Sequence, residues 1–226
     1  MNKKVKIMVV VVAVLMVLGL ASAIAYARME DQKPQQVNGK VSLDQFDGQP
    51  VMGKQDAPVT IVEFGDFKCP GCGYFATNYF SKLKKDFIDT GRANFKFVNY
   101  PFVGPDSLTA AAASEYVWKN SPDDFWKYYE GIFKNQKDEK EVWATTDALI
   151  SIAKEAGVHL DFSDMKRSID TQEFEDVVVA DLNFARSLGI NSTPTFVVNG
   201  YAIKAGGLSY DQIKDFINSA IKKGGK

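Results

Sequence analysis

The sequence predicts an α/β domain in which strand, helix and strand come first, a run of helices follows, and a hairpin and a last helix close the chain. Three observations carry that expectation. The apolar, β-branched stretch Val59-Thr60-Ile61-Val62-Glu63-Phe64 stands just before a helical pattern over residues 74 to about 87, in which aromatics recur at Phe75, Tyr79, Phe80 and Phe87. A second stretch, 93–100, alternates as a strand does. Asn199-Gly200 separates two short apolar runs, a strong signal for a two-residue hairpin turn.

At the start of the chain, Lys3, Lys4 and Lys6 precede an uncharged stretch over 7–27, closed by Arg28. About 20 apolar residues suffice to cross a bilayer, so 1–28 read as a signal-anchor or transmembrane segment. Its basic end belongs in the cytoplasm, which puts the rest of the chain outside. Ala21-Ser22-Ala23 and Ala25-Tyr26-Ala27 also offer small-residue cleavage sites, and cleavage would make the protein secreted. The length of the apolar run favours an uncleaved, single-pass anchor in the cell membrane. Residues 29–50 are polar and aperiodic and read as a tether, with 41–46 as a candidate edge strand.

The folded part is expected from about Val51, with 51–104 and 186–226 forming one sheet-containing domain and 105–185 a helical-bundle insertion. Gly91 stops the first helix, and a strand, helix, strand unit of this length implies a right-handed parallel crossover. In the helical region Ser121-Pro122-Asp123 is a start and Gly157 a stop. Asp161 or Ser163 is a cap, and Gly189 is a second stop. After the hairpin, Gly206-Gly207 leads into an amphipathic helix capped by Ser209, with Ile213, Phe216, Ile217, Ala220 and Ile221 on one face.

With 226 residues, 46% of them hydrophobic, the chain can bury a sizeable core. A net charge of −1 and the lack of a Lys/Arg stripe argue against a nucleic-acid partner. One histidine and two cysteines leave a four-ligand zinc site short of soft ligands.

Both cysteines lie in Phe67-Lys68-Cys69-Pro70-Gly71-Cys72, at the junction of the first strand and first helix. A Cys-x-x-Cys pair there puts its first sulfur at a helix N-terminus, where free N–H groups and the positive dipole end stabilise a thiolate. That is the setting of a redox-active dithiol, and an oxidising compartment outside the cytoplasm suits it. A merely structural bridge over so short a loop would constrain the unfolded chain little. Glu63 is an anomaly, a charge inside a run that fits a strand buried on both faces.

The order of elements, the Cys-x-x-Cys opening the first helix and Thr193-Pro194-Thr195 before the hairpin together resemble the thioredoxin fold with a helical insertion. Within that fold they resemble the DsbA family of extracytoplasmic thiol-disulfide oxidoreductases. The N-terminal segment and the run from Glu63-Phe64-Gly65-Asp66 to Cys72 are most similar to the BdbD-like proteins of Gram-positive bacteria. The resemblance covers about 50 to 222. It implies that Cys69 is the exposed sulfur that is attacked and attacks, and Cys72 the buried resolving one. It makes Pro194 a cis proline and Thr193 a backbone partner for an extended substrate segment. Glu63 becomes the buried acid that tunes cysteine ionisation or relays protons.

By the same resemblance the activity is introduction of disulfides into exported proteins, needing no cofactor beyond the redox-active disulfide. The partners are unfolded or reduced exported proteins and a DsbB-like, quinone-linked membrane oxidoreductase. An exported reductase or isomerase of the same fold is the alternative. Many DsbA proteins carry histidine at the third motif position, where this chain has Gly71 after Pro70. Glycine gives a thiolate no side-chain hydrogen bond, and Lys68 beside Cys69 is expected to supply part of the missing positive charge.

Other candidates are weaker. His159 reads as a loop or helix-start residue, and Asn191-Ser192-Thr193 as a chance match to a glycosylation pattern. The aromatics Tyr116, Trp118, Phe125, Trp126, Tyr128 and Tyr129 read as bundle core. Glu115 and Asp181 could meet a calcium ion if the insertion folds them together, although they lack any recognised loop spacing.

Overall fold

The computed structural model describes residues 2–31, 33–37 and 43–224. It divides into two compact units, with the boundary between Lys33 and Pro34. The first is a single helix, α1 (Lys3–Asp31), whose stretch Lys3–Ala27 is long and apolar enough to cross a membrane.

The second unit is built on a six-stranded sheet in the order β1-β6-β5-β3-β4-β2. Its strands are β1 (Gln35–Gln36), β2 (Val51–Met52), β3 (Thr60–Gly65), β4 (Asn94–Asn99), β5 (Thr195–Val198) and β6 (Tyr201–Lys204). β3 and β4 are parallel, in register from Thr60↔Asn94 to Gly65↔Asn99, and every other pairing is antiparallel. Between β3 and β4 the chain runs through α2 (Pro70–Asn78), α3 (Phe80–Leu83) and a wide helical turn at Lys84–Ile88. The helical pattern expected as one element is thus interrupted at Tyr79, whose φ is −122°. The hairpin turns at Asn199 and Gly200, with φ values of 50° and 78°, the pair of positive angles that a tight strand-twisting turn requires.

Because β3 is buried along its whole length, its alternate residues serve two cores. Ile61 joins Phe95, Phe97, Phe196 and Phe75 on one face, where α9 (Tyr210–Gly224) adds Ile213, Phe216 and Ile217. Val62 and Phe64 join Val98, Tyr100 and Val197 on the other, under Ala185 of α8 (Glu175–Ser187). α9 begins with a reciprocal cap, in which Gln212 N–H donates to Ser209 Oγ and Ser209 N–H to Gln212 Oε1.

The remaining helices are α4 (Ser107–Asn120), α5 (Phe125–Lys134), α6 (Thr146–Glu155) and α7 (Phe162–Asp170). Asp161 caps α7, accepting from the N–H groups of Ser163 and Asp164. Phe125, Tyr128 and Tyr129 of α5 are fully buried, as bundle core should be. His159, just before α7, binds Asp124, just before α5, through its backbone N–H and its ring.

The N-terminal boundary needs correction. Within the candidate edge strand 41–46, the described residues Leu43–Phe46 form a 3-10 turn, and 41–42 lie outside the described residues. The edge strands are instead Gln35–Gln36, beside β6, and Val51–Met52, beside β4. Of the stretch read as tether, 29–31 end α1, and the described residues from Pro34 to Val37 and from Leu43 on belong to the sheet-containing unit. Phe46 is 1% exposed, its ring 5.5 Å from that of Phe184, while Trp118 and Trp126 donate to the carbonyls of Gly48 and Val51. A single buried phenylalanine in a polar segment gives no periodicity, so this anchorage left no pattern to read.

Candidate active site

The turn from β3 into α2 is held before any sulfur chemistry is considered. Asp66 Oδ1 accepts from Lys68 N–H, and Asp66 Oδ2 accepts from the N–H groups of Phe102 and Val103, all at 2.8 Å. One carboxylate thus ties the turn to the loop after β4. Cys69 is the N-cap of α2 and Pro70 fills the first helical turn, where its missing N–H costs nothing. No side chain caps this helix end, so its N–H groups face the Cys69 sulfur.

Both cysteines are free thiols here. Cys69 is 7% exposed and Cys72 fully buried. The attacked sulfur expected to be exposed is thus nearly covered, because the 193–194 loop packs over it. Its thiol is brought down from the ordinary 9.0 to about 6. The hydrogen bond from Cys72 is the largest cause. Burial opposes it, and the Thr193 side chain and the N–H groups of Cys72 and Gly71 add to it. A depressed thiol stabilises the reduced form, fully above 9.0 and not at all well below 6. At pH 7, between the two values, the shift favours the reduced pair and so makes the disulfide the more oxidising form. Cys72 moves the other way, pushed well above the ordinary value by burial and by its bond to Cys69.

Thr193-Pro194 is a cis peptide, and Cys69 Sγ–H donates to the Thr193 carbonyl at 3.3 Å. The Thr193 hydroxyl is buried with no partner in the dithiol, which leaves it available to a thiolate. Pro194 O accepts from Ala205 N–H, tying the loop to the end of the hairpin. Gly71 belongs to this contact. A Cβ there would lie 3.0 Å from Pro194 Cδ and 3.6 Å from Cys69 Sγ, so the glycine lets the proline loop close on the motif.

Glu63 is fully buried on β3. Burial pushes its carboxyl up to about 8, opposed by the 2.7 Å hydrogen bond from Tyr129 Oη and reinforced by charge on Cys69. Its second oxygen, Oε1, has no partner. At neutral pH it is therefore a buried, protonated acid.

Lys68 does not act as expected. Its side chain is fully buried and turned from the sulfur into an ion pair with Asp106 Oδ1 and a bond to the Glu141 carbonyl. A cation fully desolvated has to be paired, and Asp106 neutralises it. Asp106 Oδ2 also accepts from the N–H groups of Trp143 and Ala144, so Lys68 braces the insertion against the active-site turn.

The sequence marks Tyr129 only as bundle core and does not single out Asp106 or Gln136. Gln136 Nε2 donates to the carbonyls of Phe67 at 2.8 Å and Cys69 at 3.0 Å. All three reach the motif from more than 35 residues away in sequence, a separation that local patterns do not register.

Glu115 and Asp181 do meet. Asn99 donates to Glu115 Oε1 and Gln49 to Asp181 Oδ1, each at 2.7 Å. Burial and the neighbouring Glu115 push Asp181 up to about 7, against the bonds from Gln49 and Asn99. Asp181 Oδ2 and Gln49 Oε1 are buried without partners. Among the described residues no cluster of three or more His, Cys, Asp or Glu side chains could hold a metal ion.

Residues 45–219 match the family described as Thioredoxin. The chain is 42% identical over 193 residues to disulfide bond formation protein D of Bacillus subtilis, covering 85% of this chain and 86% of that protein. It is 36% identical over 212 residues to the probable disulfide bond formation protein D of Bacillus cereus, covering 94% of each. The crystal structure of oxidised BdbD from Bacillus subtilis matches with a TM-score of 0.76 at 42% identity, over 83% of this chain and 99% of that one. DsbA of Chlamydia trachomatis matches with a TM-score of 0.69 at 25% identity, over 80% and 95%.

Glu63 generates a pH test. Its folded value, about 8, lies above the ordinary 4.5, so the stability it contributes is complete below pH 4.5 and is lost as pH rises towards 8. Glu63→Gln, which stays neutral, should gain on the native protein across that window by a few kcal/mol in denaturant titrations. Parallel stability profiles for the two proteins from pH 4.5 to 8 would show that Glu63 is ionised in the fold.

Proposed function

Because this chain belongs to the thioredoxin-fold DsbA family, together with the disulfide bond formation D proteins, we propose that Cys69 and Cys72 are the redox pair with which it introduces disulfide bonds into exported proteins. The observation that carries this reading is the opposition of the two sulfurs. One is a stabilised thiolate at a helix N-terminus under the cis-proline loop, and the other is a buried, high-pKa thiol.

In the proposed cycle the pair starts oxidised. A substrate thiolate attacks Cys69 Sγ, the Cys69–Cys72 bond breaks, and Cys72 leaves as a thiolate that takes a proton. Glu63, protonated near neutrality and electrostatically coupled to Cys72, is the proposed donor. A second substrate thiolate then attacks the substrate sulfur of the mixed disulfide and releases Cys69 as a thiolate. The substrate loses two electrons and the enzyme gains them. Thr193 presents its backbone beside the reacting sulfur, where an extended substrate chain can pair without sequence preference. Reduction of substrates would need the opposite poise, and the depressed Cys69 thiol disfavours it.

Reoxidation requires an acceptor, for which we propose a DsbB-like, quinone-linked membrane oxidoreductase. Helix α1 would tether the enzyme beside it as a single-pass anchor, with the sheet-containing unit outside the cytoplasm. For Glu115, Asp181 and Gln49 we propose a structural calcium site. Two buried carboxylates that repel one another and two unpartnered oxygens suit a hard cation that takes oxygen ligands.

Two experiments test these assignments. Replacing Cys69 by Ser should bring oxidation of a reduced test protein to the uncatalysed rate, and Cys72→Ser should trap a covalent substrate adduct on Cys69. Full activity in Cys69→Ser would remove the assignment. Millimolar calcium should raise the melting temperature of the native protein by several degrees and leave Asp181→Asn unmoved, and equal behaviour of the two would exclude the site.

A further inference from the structure

Gly73, which follows Cys72 inside α2, is a helix-interior glycine whose backbone has no need of positive φ. Glycine in a helix interior is less favourable than alanine, so its place calls for a steric reason. A Cβ on Gly73 would lie 2.2 Å from Gln136 Oε1 and 3.0 Å from Gln136 Cδ. The amide occupies the space a side chain would take. Its other end uses both N–H bonds of Nε2, one to the Phe67 carbonyl and one to the Cys69 carbonyl. Cys69 O also accepts the first helical bond, from Gly73 N–H at 3.0 Å. One side chain from beyond the end of α5 therefore grips both ends of the turn that carries the first cysteine.

We propose that Gln136 is a positioning residue of the redox pair: it fixes the turn from Phe67 to Cys69, and with it the direction of the N–H groups that face the Cys69 sulfur. Gln136 touches no sulfur itself. It acts through the backbone, because the Gly71 and Cys72 N–H groups can stabilise a thiolate only while the first turn of α2 stays aimed at it. The titratable groups that bear on Cys69 are Cys72 and Glu63, while Lys68 is held away by Asp106. Gln136 adds no charge of its own, so its effect is geometric. Gly73 is its steric partner.

The inference rests on Cys69 being the low-pKa sulfur, and thiolate absorbance of the reduced native protein against pH establishes that first. Gln136→Ala should then raise the Cys69 midpoint by about one unit, the size of a weakened hydrogen bond to a charged group. Gln136→Met keeps the length but loses both N–H donors without adding charge, and should give the same direction. Gly73→Ala should also raise the midpoint by expelling the amide, and the Gly73→Ala/Gln136→Ala double variant should shift no further than Gln136→Ala alone. A loss of melting temperature in folded Gln136→Ala and Gln136→Met, with the Cys69 midpoint unmoved, would reduce Gln136 to a structural contact and overturn the proposal. Additive shifts in the double variant would overturn the steric coupling.

Discussion

A thiolate at the open end of α2 is the charge that the rest of this structure accommodates. Cys69 sits where unpaired N–H groups and the helix dipole favour a negative sulfur, yet it is 7% exposed, and burial alone would favour the neutral thiol. The hydrogen bonds win because several converge on one atom. The surroundings then avoid adding negative charge. Glu63, coupled to both cysteines, stays protonated to about pH 8, and Cys72 holds its proton. A carboxylate at either place would undo much of the stabilisation.

The insertion is part of this arrangement. Tyr129 of α5 holds Glu63, Gln136 holds the carbonyls on either side of Lys68, and Asp106 takes the Lys68 ammonium into a buried pair. Each contact joins the motif region to a helix or loop of the insertion. Deleting one partner of the Lys68–Asp106 pair would strand a desolvated charge, which is costlier than losing the pair as a whole. The lysine beside the cysteine therefore contributes rigidity where position in sequence suggested charge. Gly71, in turn, gives up a side-chain donor and gains the close approach of Pro194.

Much of this was legible in the residues because it is local. The β3 run, the Cys-x-x-Cys at its end, the Asn-Gly hairpin and the buried Glu63 are patterns of adjacent residues whose meaning does not depend on distant contacts. The direction of the Lys68 side chain was not legible, since neighbours in sequence at a turn can point apart. Tyr129 was read as bundle core, and it is, but its hydroxyl reaches a strand 66 residues away. Phe46 and Gln35–Gln36 belong to the fold through pairings with distant elements, inside a segment too polar and too short to announce itself.

The poise of the Cys69/Cys72 pair decides whether a stabilised thiolate makes this enzyme an oxidant, and equilibration of the protein with glutathione redox buffers measures it directly. A potential near or above about −180 mV is expected. A value near or below about −270 mV, where thioredoxin lies, would contradict it and make the dithiol a reductant.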